Sequence, residues 1–451
     1  MKGDYSRKTF NKRKNYSGVY LQQGRILLDS DFNEQREITD HFLRSLIRDI
    51  IGPCGAPLKN AGFKIIPSKG EYNIGSGHYY VDGILCVNED EVAASSQPYY
   101  PVEKGSVSPP LPETDGLYLV YLDVWERDIT CVDDEEILEP ALGGVDTTTR
   151  LKIVWQVEFQ RVKTRLRKKF EDCTRLFSVP LRISSGKMRV RNADFVDNCD
   201  DLSPASGYTG LENMLYRVEI HDGGDCDSSE PPTFKWSNCN GIDVAKVSEI
   251  SGDSMTIGFR QGADVDFSKR DWIEVTDDLH EFHGMPGSFV RIREIEDDVI
   301  SYDPSSTYGN SVSCVNYPLK FNPIIRKWDG MKNPVLPVIR GNEGEYISLE
   351  DGVEIQFTEG VYRSGDYWMF PVRTNVGVLW EKEDGLAKFK PPIGIEHHYC
   401  PLALIKYQKN EIKVLSDCRK FFPTITDLFQ SRMRARNLFE EAPEVNKNTV
   451  K

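Results

Sequence analysis

The sequence predicts a mainly β fold with one long helix near the N-terminus and a small barrel inserted between β-rich regions. Three observations support this class. Most apolar residues lie in short segments bounded by glycine, proline or aspartate, which is typical of strands. Residues 31–51 form the one long segment that repeats apolar side chains at helical spacing. Residues 240–305 contain short strands at close intervals, a pattern that favours a closed barrel or sandwich.

The chain of 451 residues is long enough for several domains. Because 39% of its residues are hydrophobic, packed cores are possible, and we predict a multi-domain arrangement of β-sandwiches or barrels. The predicted parts are residues 1–55 (arm and helix), 56–239 (β-rich core), 240–305 (small barrel), 306–425 (continuation of the core) and 426–451 (tail).

The N-terminal region is predicted as a polar arm, two short extended pieces and a helix. Residues 2–14 carry little apolar surface, and glycines interrupt residues 16–29. Asp31 and Glu34 fit a capping box, and Gly52 with the proline after it ends the helix. We expect the apolar stripe of the helix to pack on the protein's own sheets, with a partner helix as the alternative. The stripe consists of Ile38, Phe42, Leu43, Leu46, Ile47 and Ile50.

After the helix the pattern changes to strands. Residues 117–126 are strongly apolar, so we place this strand at the centre of a sheet. Further strands are predicted at residues 63–66, 72–74, 78–87 (with an internal turn), 151–161, 216–221, 353–357, 367–372 and 400–407. Barrel strands are predicted at residues 254–257, 272–275, 289–292 and 299–302. The tail is expected to begin as a short amphipathic helix near Asp427.

The charge balance argues against nucleic acid as the main partner. The formal net charge is -14, whereas phosphate binding requires an accessible basic surface. One basic cluster is interpreted as a solvated strand end, with anion binding as the alternative. The cluster consists of Arg161, Lys163, Arg165, Arg167, Lys168 and Lys169.

The sequence predicts neither a membrane span nor a secretory signal. No apolar run approaches the ~20 residues of a transmembrane helix, and the first residues form no apolar stretch. We therefore expect synthesis in a reducing cytoplasm. The ten cysteines include no C-x-x-C pair, so buried free thiols are the default expectation.

Two histidine pairs are candidates for cation binding, although we assign no metal ligand. His280 and His283 are predicted on a turn between two barrel strands, beside several carboxylates. A solvated turn is the alternative. His397 and His398 follow Glu396 in a segment predicted to be extended, so their side chains point to opposite faces. One of these two histidines is then expected to be buried and the other exposed.

Three loop carboxylates and the tryptophans complete the set of candidates. Asp222, Asp225 and Asp227 could hold calcium, but they lack the spacing of a helix-loop-helix site, and a plain acidic loop is the alternative. Nucleotide-binding glycine motifs and the nucleophile elbow are absent from the sequence. We therefore assign no catalytic residue, no cofactor and no enzyme activity. An exposed pair among the seven tryptophans would leave carbohydrate binding open.

Several blocks of the sequence are distinctive, and residues 207–221 form the most distinctive one. The others are residues 1–7, 16–25, 29–35, 141–150, 154–157, 233–237, 271–275, 365–368 and 397–399. In this order the blocks resemble an uncharacterised family that is encoded in gene clusters for phage-tail-like contractile injection systems. The sequence departs from that family at residues 238–240, where a charged residue is expected.

The resemblance implies a structural subunit of the baseplate or tail periphery, with other subunits of the particle as partners. We expect a homo-oligomer in a three- or six-fold assembly. The particle would be released or membrane-attached. One alternative is a carbohydrate- or receptor-binding module on such a particle, and another is an enzyme that acts on polysaccharide.

The candidate assembly residues lie between the polar arm and the helix. Because residues 1–15 have too little apolar surface to fold alone, we expect this arm to become ordered only on a neighbouring subunit. Their deletion is then expected to leave the β core folded and to weaken assembly. The candidate assembly residues are Tyr16, Tyr20, Gln22, Gln23 and Arg25.

Overall fold

The computed structural model describes residue 3 and residues 5–105, 107–162, 173–177, 184–193, 207–260, 267–330 and 345–429. Within these ranges the protein is mainly β and contains a closed six-stranded barrel, as predicted. Short 3-10 helices span Lys12–Lys14, Ala94–Ser96, Glu135–Ile137, Pro140–Leu142, Cys173–Leu176 and Leu319–Phe321.

The long helix predicted near the N-terminus is present and spans Asp29–Ile51. It begins two residues earlier than expected, and Leu28 occupies the N-cap position. The prediction of a capping box at Asp31 and Glu34 is therefore wrong. Gly52 ends the helix as predicted, with a φ of 96° that favours glycine.

Three sheets enclose the first hydrophobic core. Strand Gly116–Ile129 lies between two neighbours, which confirms its central position, and its residues from Tyr118 to Trp125 are all buried. Its sheet has the order Glu411–Asp417, His398–Gln408, Gly116–Ile129 and Arg150–Arg161. The second sheet has the order Phe421–Phe422, Cys54–Pro57, Gly77–Val81 and Ile84–Asn88. The third has the order Ile65–Pro67, Tyr72–Ile74 and Val92–Ala93.

A tight hairpin in the second sheet lies against the N-terminal helix. Asp82 and Gly83 join its strands with φ values of 48° and 85°, which is the left-handed geometry that an Asp-Gly pair favours. A Cβ atom at Gly83 would lie 2.5 Å from the carbonyl oxygen of Arg44. Only glycine therefore allows the hairpin to approach the helix so closely.

Two further sheets pack around the second core. One has the order Phe234–Ser237, Met214–Ile220, Tyr367–Arg373 and Gly377–Val378. The other has the order Ile347–Ser348, Val353–Phe357 and Met188–Asn192. Two short ribbons pair Gly224–Asp225 with Val361–Tyr362, and Lys382–Glu383 with Leu386–Ala387. Buried residues such as Tyr216, Val218, Val190 and Ile355 join the two larger sheets into one core.

The barrel extends further along the chain than residue 305. Its strand order is Val244–Ser251, Ser254–Arg260, Val299–Tyr308, Ser288–Glu296, Trp272–Thr276 and Ile324–Trp328. The last strand closes the barrel by pairing with two earlier strands. The first core combines residues before 160 with residues after 398, the second core lies between these segments, and the barrel lies within the second. The division into separate sandwich domains stays a prediction.

The cysteines include a pair that the sequence did not suggest. Cys173 and Cys418 form a disulfide, with their Cα atoms 5.6 Å apart. The expectation of free thiols is wrong for this pair. The sequence separation of 245 residues explains why local spacing carried no sign of it. Cys86 and Cys400 are buried, as expected for cysteines in a core, whereas Cys239 and Cys314 are exposed, so the expectation of burial is wrong for these two.

No helix within the described ranges is long and apolar enough to cross a membrane. Residues 425–429 are helical, as predicted for the start of the tail. Six of the seven tryptophans are buried, and Trp380 is half-buried. Among the tryptophans, all of which lie within the described ranges, there is therefore no pair of fully exposed rings on which a sugar could stack, and most of these side chains contribute to the cores.

Candidate functional site

The start of the N-terminal arm makes hydrogen bonds to residues that lie later in the same chain. The Tyr5 hydroxyl donates a hydrogen bond to Asp128 at 2.5 Å, and the Asn240 amide donates to the Gly3 carbonyl oxygen at 2.9 Å. The expectation that residues 1–15 become ordered only on a neighbouring subunit is therefore wrong for this part. Their deletion would remove contacts within the subunit.

The segment that follows the arm exposes large apolar side chains. Residues 16–28 all lie in the described part of the chain and form a turn at Gln23 and Gly24 but no strand. Tyr20 is 95% exposed and Ile26 is 88% exposed. We define the arm surface as the exposed residues Tyr20, Leu21, Ile26, Leu27, Leu28 and Phe32.

The structure places all five candidate assembly residues on the surface. Tyr16, Tyr20, Gln22, Gln23 and Arg25 are exposed, and their role stays a prediction. The aliphatic members of the arm surface were not among the predicted assembly residues. A run of large aliphatic residues after a glycine is equally typical of a buried strand, so its exposure had no signature in the sequence.

The N-terminal helix turns most of its apolar stripe outward. Ile38 is 1% exposed, whereas Ile50 is 73% exposed. The expectation that the stripe packs on the protein's own sheets is therefore wrong for four of its six residues. We call these four residues the helix face: Phe42, Leu43, Leu46 and Ile50.

Ion pairs hold the inner side of the helix. Arg44 lies 2.6 Å from Glu126, and Arg48 lies 2.9 Å from Asp82. These contacts and the close approach of Gly83 lie on the side of the helix that faces the sheets. The side chains of the helix face consequently point away from the first core.

A cluster of buried charges connects the second core to the barrel. The Lys235 ammonium group lies 2.6 Å from both carboxylate oxygens of Glu274, a residue of a barrel strand. The Trp328 indole N–H donates to the same carboxylate at 2.9 Å. Burial opposes ionisation of Glu274, yet Lys235 and His221 hold its pKa well below the usual value.

Asp128, the residue that receives the Tyr5 hydroxyl, has a raised pKa. Burial beneath the arm is the main cause and raises the pKa of Asp128 from 3.8 to about 6. The hydrogen bond from Tyr5 opposes this shift. The carboxyl group therefore keeps its proton in the folded protein at pH values where an unfolded chain has lost it.

We expect Asp128→Asn to remove a pH-dependent loss of stability. Below about pH 4 the carboxyl group is protonated in both the folded and the unfolded state, so its ionisation does not affect the free energy of unfolding. Between about pH 4 and pH 6 the unfolded state ionises first, and the wild-type free energy of unfolding falls by roughly 2 kcal/mol. Chemical denaturation at several pH values measures the effect, with Asp90→Asn as an exposed control. If the difference in the free energy of unfolding between wild type and variant stays constant with pH, this account is contradicted.

The two barrel histidines contact different parts of the chain. They lie on the short helix Asp278–His283, so the predicted turn is wrong. His280 is buried, with Nδ1 2.6 Å from Asp277, while His283 Nε2 lies 2.9 Å from the Pro101 carbonyl oxygen.

The adjacent histidines near the C-terminus are each paired with a different carboxylate. His397 Nδ1 lies 2.8 Å from Asp123, and His398 Nδ1 lies 3.1 Å from Asp82. Both side chains are half-buried. The expectation that one histidine is buried and the other exposed is therefore wrong.

The loop carboxylates make hydrogen bonds within the protein. Asp222 accepts from the hydroxyl groups of Thr233 and Tyr308 at 2.7 and 2.6 Å. Asp225 accepts from the backbone N–H of Asp227 at 3.1 Å. Among the residues that the structure describes, no group of three or more His, Cys, Asp or Glu side chains is arranged to hold a metal ion.

Only one residue of the basic cluster lies in the part of the chain that the structure describes. Arg161 ends strand Arg150–Arg161 and is exposed, in agreement with a solvated strand end. The other five members, from Lys163 to Lys169, lie outside the described residues. The anion-binding alternative for this cluster stays a prediction.

The comparison with known proteins identifies a family. No curated protein and no solved structure matches the chain. The profile of a family described as "Family of unknown function (DUF6519)" matches residues 1–176 and 190–436, which is more than nine-tenths of the sequence. The chain therefore belongs to the family of unknown function DUF6519.

Proposed function

We propose that the protein is a structural subunit of the baseplate or tail periphery of a phage-tail-like contractile injection system. The observation that carries this proposal is the arm surface, where six large apolar side chains lie exposed between residues 20 and 32. Exposed apolar surface is a feature of contact surfaces between proteins. The sequence blocks at residues 16–25 and 29–35, which overlap the arm surface, carry the resemblance that names the particle.

The rigid attachment of the helix and barrel supports a structural role. Arg44 and Arg48 form ion pairs between the helix and the sheets around the first core, and the buried Lys235–Glu274 pair joins the barrel to the second core. A buried ion pair of this kind favours a single relative orientation of the parts that it joins. A subunit that must present several contacts at once benefits from such fixed geometry.

In this proposal the protein acts by protein–protein assembly and without catalysis. Its partners are other subunits of the particle, and copies of the chain occupy a three- or six-fold arrangement. The protein is made in the cytoplasm and joins a particle that is released or membrane-attached. The cores of the chain act as separate β-sandwich domains that hold these contacts apart.

We expect the combined variant Tyr20→Ser/Ile26→Ser/Leu27→Ser to lose its place in the particle. Burial of one large apolar side chain contributes about 1.5–3 kcal/mol, so the loss of three weakens binding by about a thousandfold or more. The measurement is the amount of chain that co-sediments with particles isolated from a native lysate. The variant should fold normally because these side chains already face solvent.

The control replaces apolar residues that are equally exposed but lie elsewhere. Leu211 is 93% exposed and Val315 is 82% exposed, and both lie outside the arm surface. The variant Leu211→Ser/Val315→Ser should co-sediment like the wild type. Equal recovery of the arm-surface variant and this control would overturn the proposed function.

A further inference from the structure

We propose that Cys54 and Cys400 are a site of oxidative modification, at which hydrogen peroxide converts two free thiols into a second disulfide. Both residues are free cysteines in the structure. The proposal is independent of the proposed function. It follows from the register of the second sheet, the contacts of Cys400 and the different exposure of the cysteines in the first core.

Three free cysteines lie in or against the first core. In the second sheet Cys54 is directly opposite Val81, and Cys86 is directly opposite Tyr79. Residues that are opposite each other point to the same face of a sheet, and Val81 and Tyr79 are fully buried in the first core. The side chains of Cys54 and Cys86 therefore point into this core as well. Cys400 reaches it from strand His398–Gln408.

The geometry selects Cys54 as the partner of Cys400. Burial raises the pKa of the Cys400 thiol, and a hydrogen bond with the Cys54 thiol raises it further, so these two sulfur atoms are neighbours. Strand Gly77–Val81 separates the strands of Cys54 and Cys86, which places their Cα atoms roughly 10 Å apart. Because a disulfide requires Cα atoms within about 7 Å of each other, Cys54 and Cys86 cannot be joined without movement of the backbone.

The three cysteines differ in their access to solvent. Cys86 is 0% exposed and Cys400 is 2% exposed, whereas Cys54 is half-buried. An oxidant in solution therefore reaches the Cys54 thiol first. Burial also raises the pKa of the Cys86 and Cys400 thiols, which keeps the reactive thiolate scarce at these two positions. The first reaction is consequently expected at Cys54.

The oxidation proceeds in two steps. The Cys54 thiolate attacks one oxygen of hydrogen peroxide, the O–O bond breaks, and a sulfenic acid and a hydroxide ion form. The Cys400 thiolate then attacks the sulfur of the sulfenic acid, so that the S–S bond forms, the S–O bond breaks and a second hydroxide ion leaves. The protons lost by the two thiols convert both hydroxide ions into water. The two sulfur atoms together lose two electrons, which reduce the peroxide.

Tyr79 is placed to assist the second step. Its hydroxyl oxygen accepts a hydrogen bond from the backbone N–H of Lys420 at 3.4 Å and lies 3.4 Å from Cys400 Sγ. The O–H of Tyr79 is then available to donate to the Cys400 thiolate, which lowers the pKa of Cys400 against the larger effect of burial. We expect Tyr79→Phe to slow the appearance of the disulfide by roughly two- to tenfold.

Peptide mass spectrometry of the intact chain after peroxide treatment tests the proposal. The purified protein is oxidised in dilute solution, its remaining thiols are alkylated, and the chain is digested. We expect the peptides of Cys54 and Cys400 to be joined with the loss of two hydrogen atoms. Oxidation of the exposed Cys314 shows that the peroxide was active. Free thiols at Cys54 and Cys400 in a sample whose Cys314 is oxidised would overturn the inference.

Single variants separate the two steps. In Cys400→Ser no thiol attacks the sulfenic acid at Cys54, so the amount trapped there by dimedone should rise several-fold over the wild type. Cys54→Ser should leave Cys400 as a free thiol. Cys86→Ala is the matched control, because it removes the third cysteine of the same core, and it should form the disulfide at the rate of the wild type. A joined pair in the wild type that contains Cys86 would overturn the proposal.

Discussion

Replacement of Lys235 by methionine is expected to lower the free energy of unfolding by about 3–5 kcal/mol, because it leaves the buried Glu274 carboxylate without its cation. Both side chains are almost fully buried, so water cannot replace the lost ammonium group. The pKa of Glu274 is held well below its usual value in the wild type. The stability from this pair is therefore present at neutral pH and is lost as acid protonates the carboxylate. The deficit of the variant should shrink below about pH 4.

Denaturation curves followed by tryptophan fluorescence measure this loss. The double variant Lys235→Met/Glu274→Gln should recover part of it, because the unpaired charge is removed while an acceptor for the Trp328 indole remains. Lys320→Met, which removes one partner of an exposed pair with Glu103, should cost less than about 1 kcal/mol. Equal losses for Lys235→Met and Lys320→Met would show that the buried cluster does not join the barrel to the second core as described.

Loss of the disulfide between Cys173 and Cys418 is expected to lower the free energy of unfolding by about 2–5 kcal/mol. The bond joins residues 245 positions apart, so its removal releases a very large loop in the unfolded chain. It also ties Cys173 to a small cluster with Leu119 and Leu404, which lies apart from the first core. The variant Cys173→Ser/Cys418→Ser should therefore unfold at lower denaturant concentration than the wild type.

A reducing agent provides the complementary measurement. Reduction of the wild type should lower its unfolding midpoint to that of the double serine variant and should leave the variant unchanged. Cys314→Ser is the control, because this cysteine is exposed and a serine hydroxyl can replace its hydrogen bond to the Ile250 carbonyl oxygen. If the wild type has the same midpoint with and without reductant, the bond does not stabilise the fold.

Local patterns in the sequence were sufficient to predict a strand that is buried on both faces and a helix with a clear apolar repeat. The buried strand Gly116–Ile129 shows an apolar run, and the helix Asp29–Ile51 shows its own periodicity. Two barrel strands, Val244–Ser251 and Ile324–Trp328, were not predicted. The partners of the second one begin at residues 244 and 272, and no neighbouring hairpin marks it. Pairing between residues so far apart in the sequence depends on the assembled barrel, so it cannot be predicted from the sequence of a short segment alone.

The direction in which a side chain faces was harder to predict than its place in an element. The periodicity of the helix shows which residues share a side, but the side that turns inward is the one whose partners, such as residues 126 and 82, lie far away in the sequence. Lys235 and Glu274 are missed for a related reason. Charged residues in strands are normally solvated, and only the meeting of the second core with the barrel buries this pair.

Electron microscopy of the particles is the most direct test of the central claim that the arm surface joins this subunit to a contractile injection particle. The comparison is between particles from cells that carry the wild-type chain, the Tyr20→Ser/Ile26→Ser/Leu27→Ser variant, or the Leu211→Ser/Val315→Ser control. We predict incomplete baseplates or tails with the arm-surface variant and complete particles with the other two. Complete particles that contain the arm-surface variant and fail only in attachment to their target would contradict the account and favour the receptor-binding alternative.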